Sequence, residues 1–139
     1  MEEIEDSVKE KKWHDFEEFV GEIFRAHDFT VRKNVRFKGS RRYEIDLVAS
    51  RGGIVICVDC KKWSKGRYKK SSLKKAAEQQ EKRVSEFIKV EKINKKVVPL
   101  IVTLFEEDLL KEGDTLFVPL WKLNNFLCNL EAYVDIGQK

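Results

Sequence analysis

The stretch that decides the fold reads Tyr43-Glu44-Ile45-Asp46-Leu47-Val48-Ala49-Ser50-Arg51-Gly52-Gly53-Ile54-Val55-Ile56-Cys57-Val58-Asp59-Cys60-Lys61. Its first half alternates with the period of a β-strand, which sets Tyr43, Ile45, Leu47 and Ala49 on one face and Glu44, Asp46 and Val48 on the other. Gly52-Gly53 supplies a hairpin turn, because glycine adopts positive φ without steric cost. Ile54 to Lys61 then reads as a second strand, apolar on both faces at its start. That is the pattern of a central strand covered on both sides.

Working outward, Trp13, Phe16, Phe19, Val20, Ile23 and Phe24 recur at three- and four-residue spacing and predict an amphipathic helix ending near His27-Asp28. Ser7 and Glu10 have the spacing of a capping box before it. Phe29 to Phe37 alternates as a further strand, and Lys38-Gly39-Ser40-Arg41 reads as a turn. Downstream, Ser64 to Ser71 is expected to be a loop. A helix from about Ser72 to Glu91 carries the stripe Leu73, Ala76, Ala77, Val84, Phe87 and Ile88. Val97 to Leu104 is a buried strand. A short helix over Glu106–Lys111, a small strand over Thr115–Val118, a helix over Pro119–Leu127 and a strand over Glu131–Ile136 complete the reading. The expected fold class is α/β: one domain over residues 1–139, with an αβββαβ core at about 13–104 built on a central mixed sheet flanked by helices. A small C-terminal α/β appendage at about 105–139 holds Leu109, Leu110, Leu116, Phe117, Trp121, Phe126 and Leu127, and packs on the core or forms a homodimer contact.

The 139 residues suit one domain, with 42% hydrophobic and 37% charged side chains. No apolar run approaches the roughly 18 residues of a membrane span, and Met1-Glu2-Glu3 is unlike the basic start of a secretory leader. The expected location is the cytoplasm, with no membrane partner. Three cysteines do not make a disulfide framework. Cys57 and Cys60, three apart on a strand, fall on opposite faces roughly 10 Å apart, too far for a disulfide. Cys128, His14 and His27 supply no second pair at zinc-site spacing. Charge is unevenly spread: residues 1–28 are net −6 and residues 61–96 net +10, with eight cations and no acid from Lys61 to Lys75. A basic run of this kind fits a polyanionic partner, or equally a solvated loop.

Two acids and a lysine stand where chemistry is expected. Asp59 and Lys61, two apart on one strand, share a face, and the hairpin brings Asp46 beside Asp59. A carboxylate at the end of so apolar a strand needs a partner. A divalent cation relieves two neighbouring carboxylates, and hard oxygen ligands select Mg²⁺ or Mn²⁺. Such an ion polarises a phosphodiester and acidifies water, and a lysine beside it orients the nucleophile or steadies the phosphorane.

This arrangement resembles the PD-(D/E)XK nuclease superfamily, and within it Mrr-type restriction endonucleases and archaeal Holliday-junction resolvases. The resemblance spans about residues 13–103. It rests on Phe16-Glu17 with Val20, Ile23-Phe24 and Asp28-Phe29-Thr30-Val31, on Glu44-Ile45-Asp46-Leu47-Val48-Ala49, and on Val58-Asp59-Cys60-Lys61-Lys62-Trp63. Ile45 replaces the proline of the family's name, Asp59 stands where Mrr-like members more often have glutamate, and Asp28 occupies a usual glycine position. The resemblance implies a metal-dependent DNA endonuclease in which Glu17, Asp46, Asp59 and the Cys60 backbone carbonyl hold Mg²⁺ or Mn²⁺. Lys61 positions the nucleophile, and Gln79 or Gln80 is an auxiliary. Glu18 and Glu22 read as solvent-facing. Lys62, Trp63, Lys65, Arg67, Tyr68, Lys69 and Lys70 are the candidate nucleic-acid contacts, cations for phosphates and rings for bases. A non-catalytic DNA-binding module of the same fold, or a junction-resolving or RNA-processing nuclease, fits the same residues.

Overall fold

The computed structural model describes residues 15–64, 70–104 and 108–134. Helix α1 covers residues 15–26. Strands β1 (Thr30–Lys38), β2 (Arg42–Arg51) and β3 (Ile54–Ser64) follow, then α2 (Lys70–Glu91), β4 (Lys96–Leu104), β5 (Leu110–Glu112), β6 (Thr115–Pro119), α3 (Leu120–Cys128) and α4 (Leu130–Tyr133). The six strands form one mixed sheet in the order β1-β2-β3-β4-β6-β5. β1, β2 and β3 are antiparallel neighbours, β3–β4 and β4–β6 are parallel, and β5–β6 is antiparallel. The α/β architecture and the αβββαβ order match the expectation. The C-terminal residues extend the same sheet through β6 and pack their helices on the same core.

Helices cover both faces. Phe16, Val20 and Phe24 of α1, with Leu123, Phe126, Leu127 and Leu130 of α3 and α4, bury one face together with Ile56, Val58, Leu100 and Val102. On the other face α2 lays Val84 and Phe87 against Val35, Ile45, Val55 and Cys57, and Leu73, Ala76 and Ala77 against Ile101 and Phe117. Central β3 is thus apolar on both sides, as its sequence requires.

Three expectations need correction. Leu110–Glu112 is strand β5 and not part of a helix, because Gly113, at φ 60°, turns the chain back to pair with β6. Leu130–Tyr133 is a helical turn rather than a strand, and the remainder of that expected strand, from residue 135, lies outside the described residues. Third, the alternation in β2 does not hold from Tyr43 to Ala49. Leu47 and Ala49 pack with α1, whereas Ile45 packs with α2 beside Val48. The break coincides with Asn34 on β1, which adopts a left-handed φ of 53° between the pairs Lys33↔Leu47 and Val35↔Ile45. Asparagine tolerates that conformation, and the two strands change face together there. Asp28, where the resemblance leads one to expect glycine, likewise has φ 68° at the end of α1, a left-handed helix stop that aspartate can adopt.

Candidate active site

The site forms where β2 and β3 part. Their pairing runs from Arg51↔Ile54 to Leu47↔Val58 and stops. The next positions in register are Asp46 and Asp59, so the two carboxylates face each other across the mouth of a fork. Asp46 Oδ2 accepts a hydrogen bond from the Cys60 N–H at 3.0 Å, replacing a ladder bond with a side-chain bond. That bond anchors Asp46 beside the strand end that carries Asp59 and Lys61.

The electrostatics follow from this crowding. Burial raises the Asp46 carboxyl, opposed by the Cys60 N–H and reinforced by the negative charges of Asp59 and Glu17, and the result is a pKa pushed up to about 7. Glu17, half-buried on α1, is thereby close enough to be felt at the fork. Lys61 Nζ lies 3.2 Å from Asp59 Oδ2, with only 28% and 16% of the two side chains exposed. The same ammonium stands 5.5 Å from the centroid of the Trp63 ring, which is stacked on Phe117. Residues 59, 61 and 63 share one face of β3, so acid, cation and ring form a row. Trp63 as the support beneath Lys61 was missed in the sequence, where its ring was assigned to bases. The two-residue spacing was the available signal.

Several expected residues lie elsewhere. Gln80 is fully buried, and its amide donates to the carbonyls of Cys57 (3.0 Å) and Leu100 (3.2 Å) across the β3–β4 seam. Its Oε1 accepts from Arg83. Gln79 is exposed on α2. Glu18 accepts a hydrogen bond from Lys33 and pairs with Arg25 at 4.0 Å, and the Lys33 bond holds its carboxyl below the usual range. Glu22 is exposed. Cys57 and Cys60 are buried, free and on opposite faces, and burial raises both thiols, Cys57 to about 12. Lys62 and Lys70 are exposed, while Lys65, Arg67, Tyr68 and Lys69 lie outside the described residues, as do Trp13, His14, Ser7 and Glu10.

The donors fit a hard divalent cation in kind: two crowded carboxylates, one of them half-buried, with the Cys60 backbone carbonyl next in sequence. Among the described residues no three Asp, Glu, His or Cys side chains stand grouped closely enough to hold one ion together. Two carboxylates are assembled, and the third, Glu17, is near.

Comparison with known proteins gives the family. The model of the Mrr catalytic domain family, a restriction endonuclease family, matches residues 8–104, and the chain belongs to that family. An uncharacterized protein of Archaeoglobus fulgidus is 38% identical over 124 residues, which is 88% of this chain and 95% of that protein. A crystal structure of a protein of unknown function, AF1548, superposes with a TM-score of 0.49 at 23% identity, covering 64% of this chain and 45% of that one. The chain therefore spans less than half of that protein.

Proposed function

We propose that this chain is a metal-dependent endonuclease that hydrolyses phosphodiester bonds in DNA. The observation that carries the reading is the Asp46–Asp59 pair at the fork with Lys61 seated on Asp59, in a chain of a restriction endonuclease family. Asp46, Asp59 and the Cys60 carbonyl are the residues to hold Mg²⁺ or Mn²⁺, with Glu17 reaching in from α1. A bound divalent ion there would relieve the carboxylate repulsion, polarise the phosphodiester and acidify water. Asp59 and the Trp63 ring hold the Lys61 ammonium in place, so it meets negative charge developing on the phosphate without first being ordered. Gln80 ties α2 to the strands beneath the fork and acts by positioning. Lys62, Lys65, Arg67, Lys69 and Lys70, which follow the catalytic strand in sequence, are the proposed phosphate contacts, with Trp63 and Tyr68 the proposed base contacts.

The test is incubation with supercoiled, linear duplex, single-stranded and four-way-junction DNA, and with RNA, in Mg²⁺ or Mn²⁺. Cleavage of DNA that disappears in EDTA and in Asp59→Ala is the expected result. One other reading fits the same fold and the same basic run, a DNA-binding module without catalysis. DNA binding without cleavage in either ion would establish that reading instead.

A further inference from the structure

Beyond the fork, β2 has no β3 beside it. Residues 42–45 pair only with β1, through Val35↔Ile45, Arg36↔Glu44, Phe37↔Tyr43 and Lys38↔Arg42. The β1–β2 hairpin therefore leaves the fork as a two-stranded arm. Its two faces differ sharply. Val35, Ile45 and Phe37 turn toward α2, where Phe37 lies 5.3 Å from Phe87 and is stacked on Tyr43 at 5.4 Å. By alternation Arg36, Lys38, Arg42 and Glu44 point away from α2, and all four are exposed. Arg42 and Glu44 lead along β2 directly from Asp46, and Lys38 and Arg36 stand opposite them.

The arm is also held rigidly. Its turn is fastened to α2 by the Ser40 N–H, which donates to Glu86 Oε1 at 2.7 Å, and that bond is the chief reason the Glu86 carboxyl sits below its usual range. A Cβ at Gly39 would press on the same carboxylate, which would have to shift to make room. Ser40 Oγ lies 3.0 Å from the Tyr43 hydroxyl, and Arg41 lies over the Tyr43 ring at 4.9 Å.

We propose that the exposed face of this arm is a second DNA-contacting surface, which grips the phosphate backbone of duplex DNA beside the cleavage site. The inference rests on the nuclease reading above. Nearer the sheet, Arg32 and Lys33 are already paired with Glu91 and Glu18. Among the described residues Lys38 and Arg42 form no ion pair, and Arg36 pairs only with Glu44, its side chain 78% exposed. At about 3.3 Å per residue, Arg42 stands roughly 13 Å along the strand from Asp46. The exposed face offers cations and no ring, because Phe37 and Tyr43 are turned inward. That composition suits the regular phosphates of a duplex and lacks the stacking platform of a single-strand site. A preformed arm also loses little conformational freedom on binding.

The test measures binding of a labelled duplex across a salt series in EDTA, so that no cleavage is needed. Replacing Arg36, Lys38 and Arg42 together by Gln should flatten the slope of log affinity against log salt by up to about three units. Glu44→Gln, which removes the arm's one acid and releases Arg36, should steepen that slope by up to about one unit and tighten binding. A folding defect cannot produce this opposite change, so Glu44→Gln decides the matter should the triple variant misfold. An unchanged slope in both variants overturns the arm while leaving the nuclease reading intact if the wild type still cleaves DNA. Loss of single-strand binding as large as loss of duplex binding overturns the duplex assignment. A wild type that neither binds nor cleaves duplex DNA overturns both inferences.

Discussion

Replacing Asp46 by Asn should stabilise the metal-free protein at alkaline pH and abolish its response to divalent ions. The carboxyl is pushed up from 3.8 to about 7, first by burial and then by Asp59 and Glu17. Below pH 3.8 it is protonated in folded and unfolded chains alike and costs nothing. Between 3.8 and about 7 the unfolded chain releases the proton while the folded one keeps it, so stability falls as pH rises, and above 7 the full penalty is present. At about 1.4 kcal/mol per pH unit the ceiling is about 4 kcal/mol. The side chain remains partly open to solvent and shares its proton balance with Asp59, so about half of that, roughly 2 kcal/mol, is the expected cost.

Asparagine removes the charge but keeps an Oδ1 to accept the Cys60 N–H, so the anchoring bond survives. At about 3 °C per kcal/mol for a chain of this size, Asp46→Asn should melt about 6 °C above wild type at pH 8 in EDTA. The difference should shrink toward pH 4. Adding Mn²⁺ should then reverse the order, since an ion at a hundred times its dissociation constant contributes about 2.7 kcal/mol to wild type and far less to the variant. The assay is thermal unfolding followed by circular dichroism at several pH values, with EDTA or Mn²⁺. If Asp46→Asn melts at or below wild type at pH 8 in EDTA, the carboxylates are not crowded and the case for a cation at the fork loses its physical basis.

Three further outcomes are expected. Lys61→Ala should lower turnover by about 10²-fold or more with DNA affinity changed less than threefold, because the ammonium sits at the fork rather than along the DNA path; equal losses in both would assign it to binding. Glu17→Gln should weaken Mn²⁺ binding, read by titration, by less than Asp59→Asn does, since Glu17 reaches the fork from α1; an unchanged titration removes Glu17 from the ligand set. Gln80→Met keeps the length of the side chain and deletes its donors to Cys57 and Leu100, and should cost about 1–3 kcal/mol in urea denaturation. An unmoved midpoint would show that the amide is not a strut.

Much of this was legible because period and spacing are local properties. The double glycine fixed the hairpin, and a hairpin with one known turn fixes which residues lie opposite each other. Asp46 and Asp59 could therefore be paired from the sequence alone. Apolar runs on both faces marked β3 as central, and the three- and four-residue stripe marked α2 with its Leu73, Ala76, Ala77, Val84 and Phe87 buried as expected. What could not be read was decided by partners far along the chain. Leu110–Glu112 carries no strand period in three residues and is a strand only because β6 lies beside it. The change of face at Asn34 and Ile45 depends on a backbone angle that no hydrophobicity pattern records.

The same limit explains the charges on α2. On a helical wheel Glu81 and Glu86 look like ordinary solvated acids among lysines. In the fold each holds a turn at an opposite edge of the sheet. Glu86 takes the Ser40 N–H of the β1–β2 turn, and Glu81 Oε2 takes the Asp114 N–H at 2.7 Å and the Thr115 hydroxyl at 3.2 Å at the β5–β6 turn. Both turns place a glycine against the carboxylate, Gly39 and Gly113, and Gly113 also supplies the positive φ of its turn. Next to Glu81, Gln80 grips the central seam through Cys57 and Leu100. One helix thus fixes the outer hairpin, the strand that ends in Asp59 and Lys61, and the far edge. The fork at Asp46 opens between the first two of these, so its geometry is set from α2, a helix on which neither Asp46, Asp59 nor Lys61 lies.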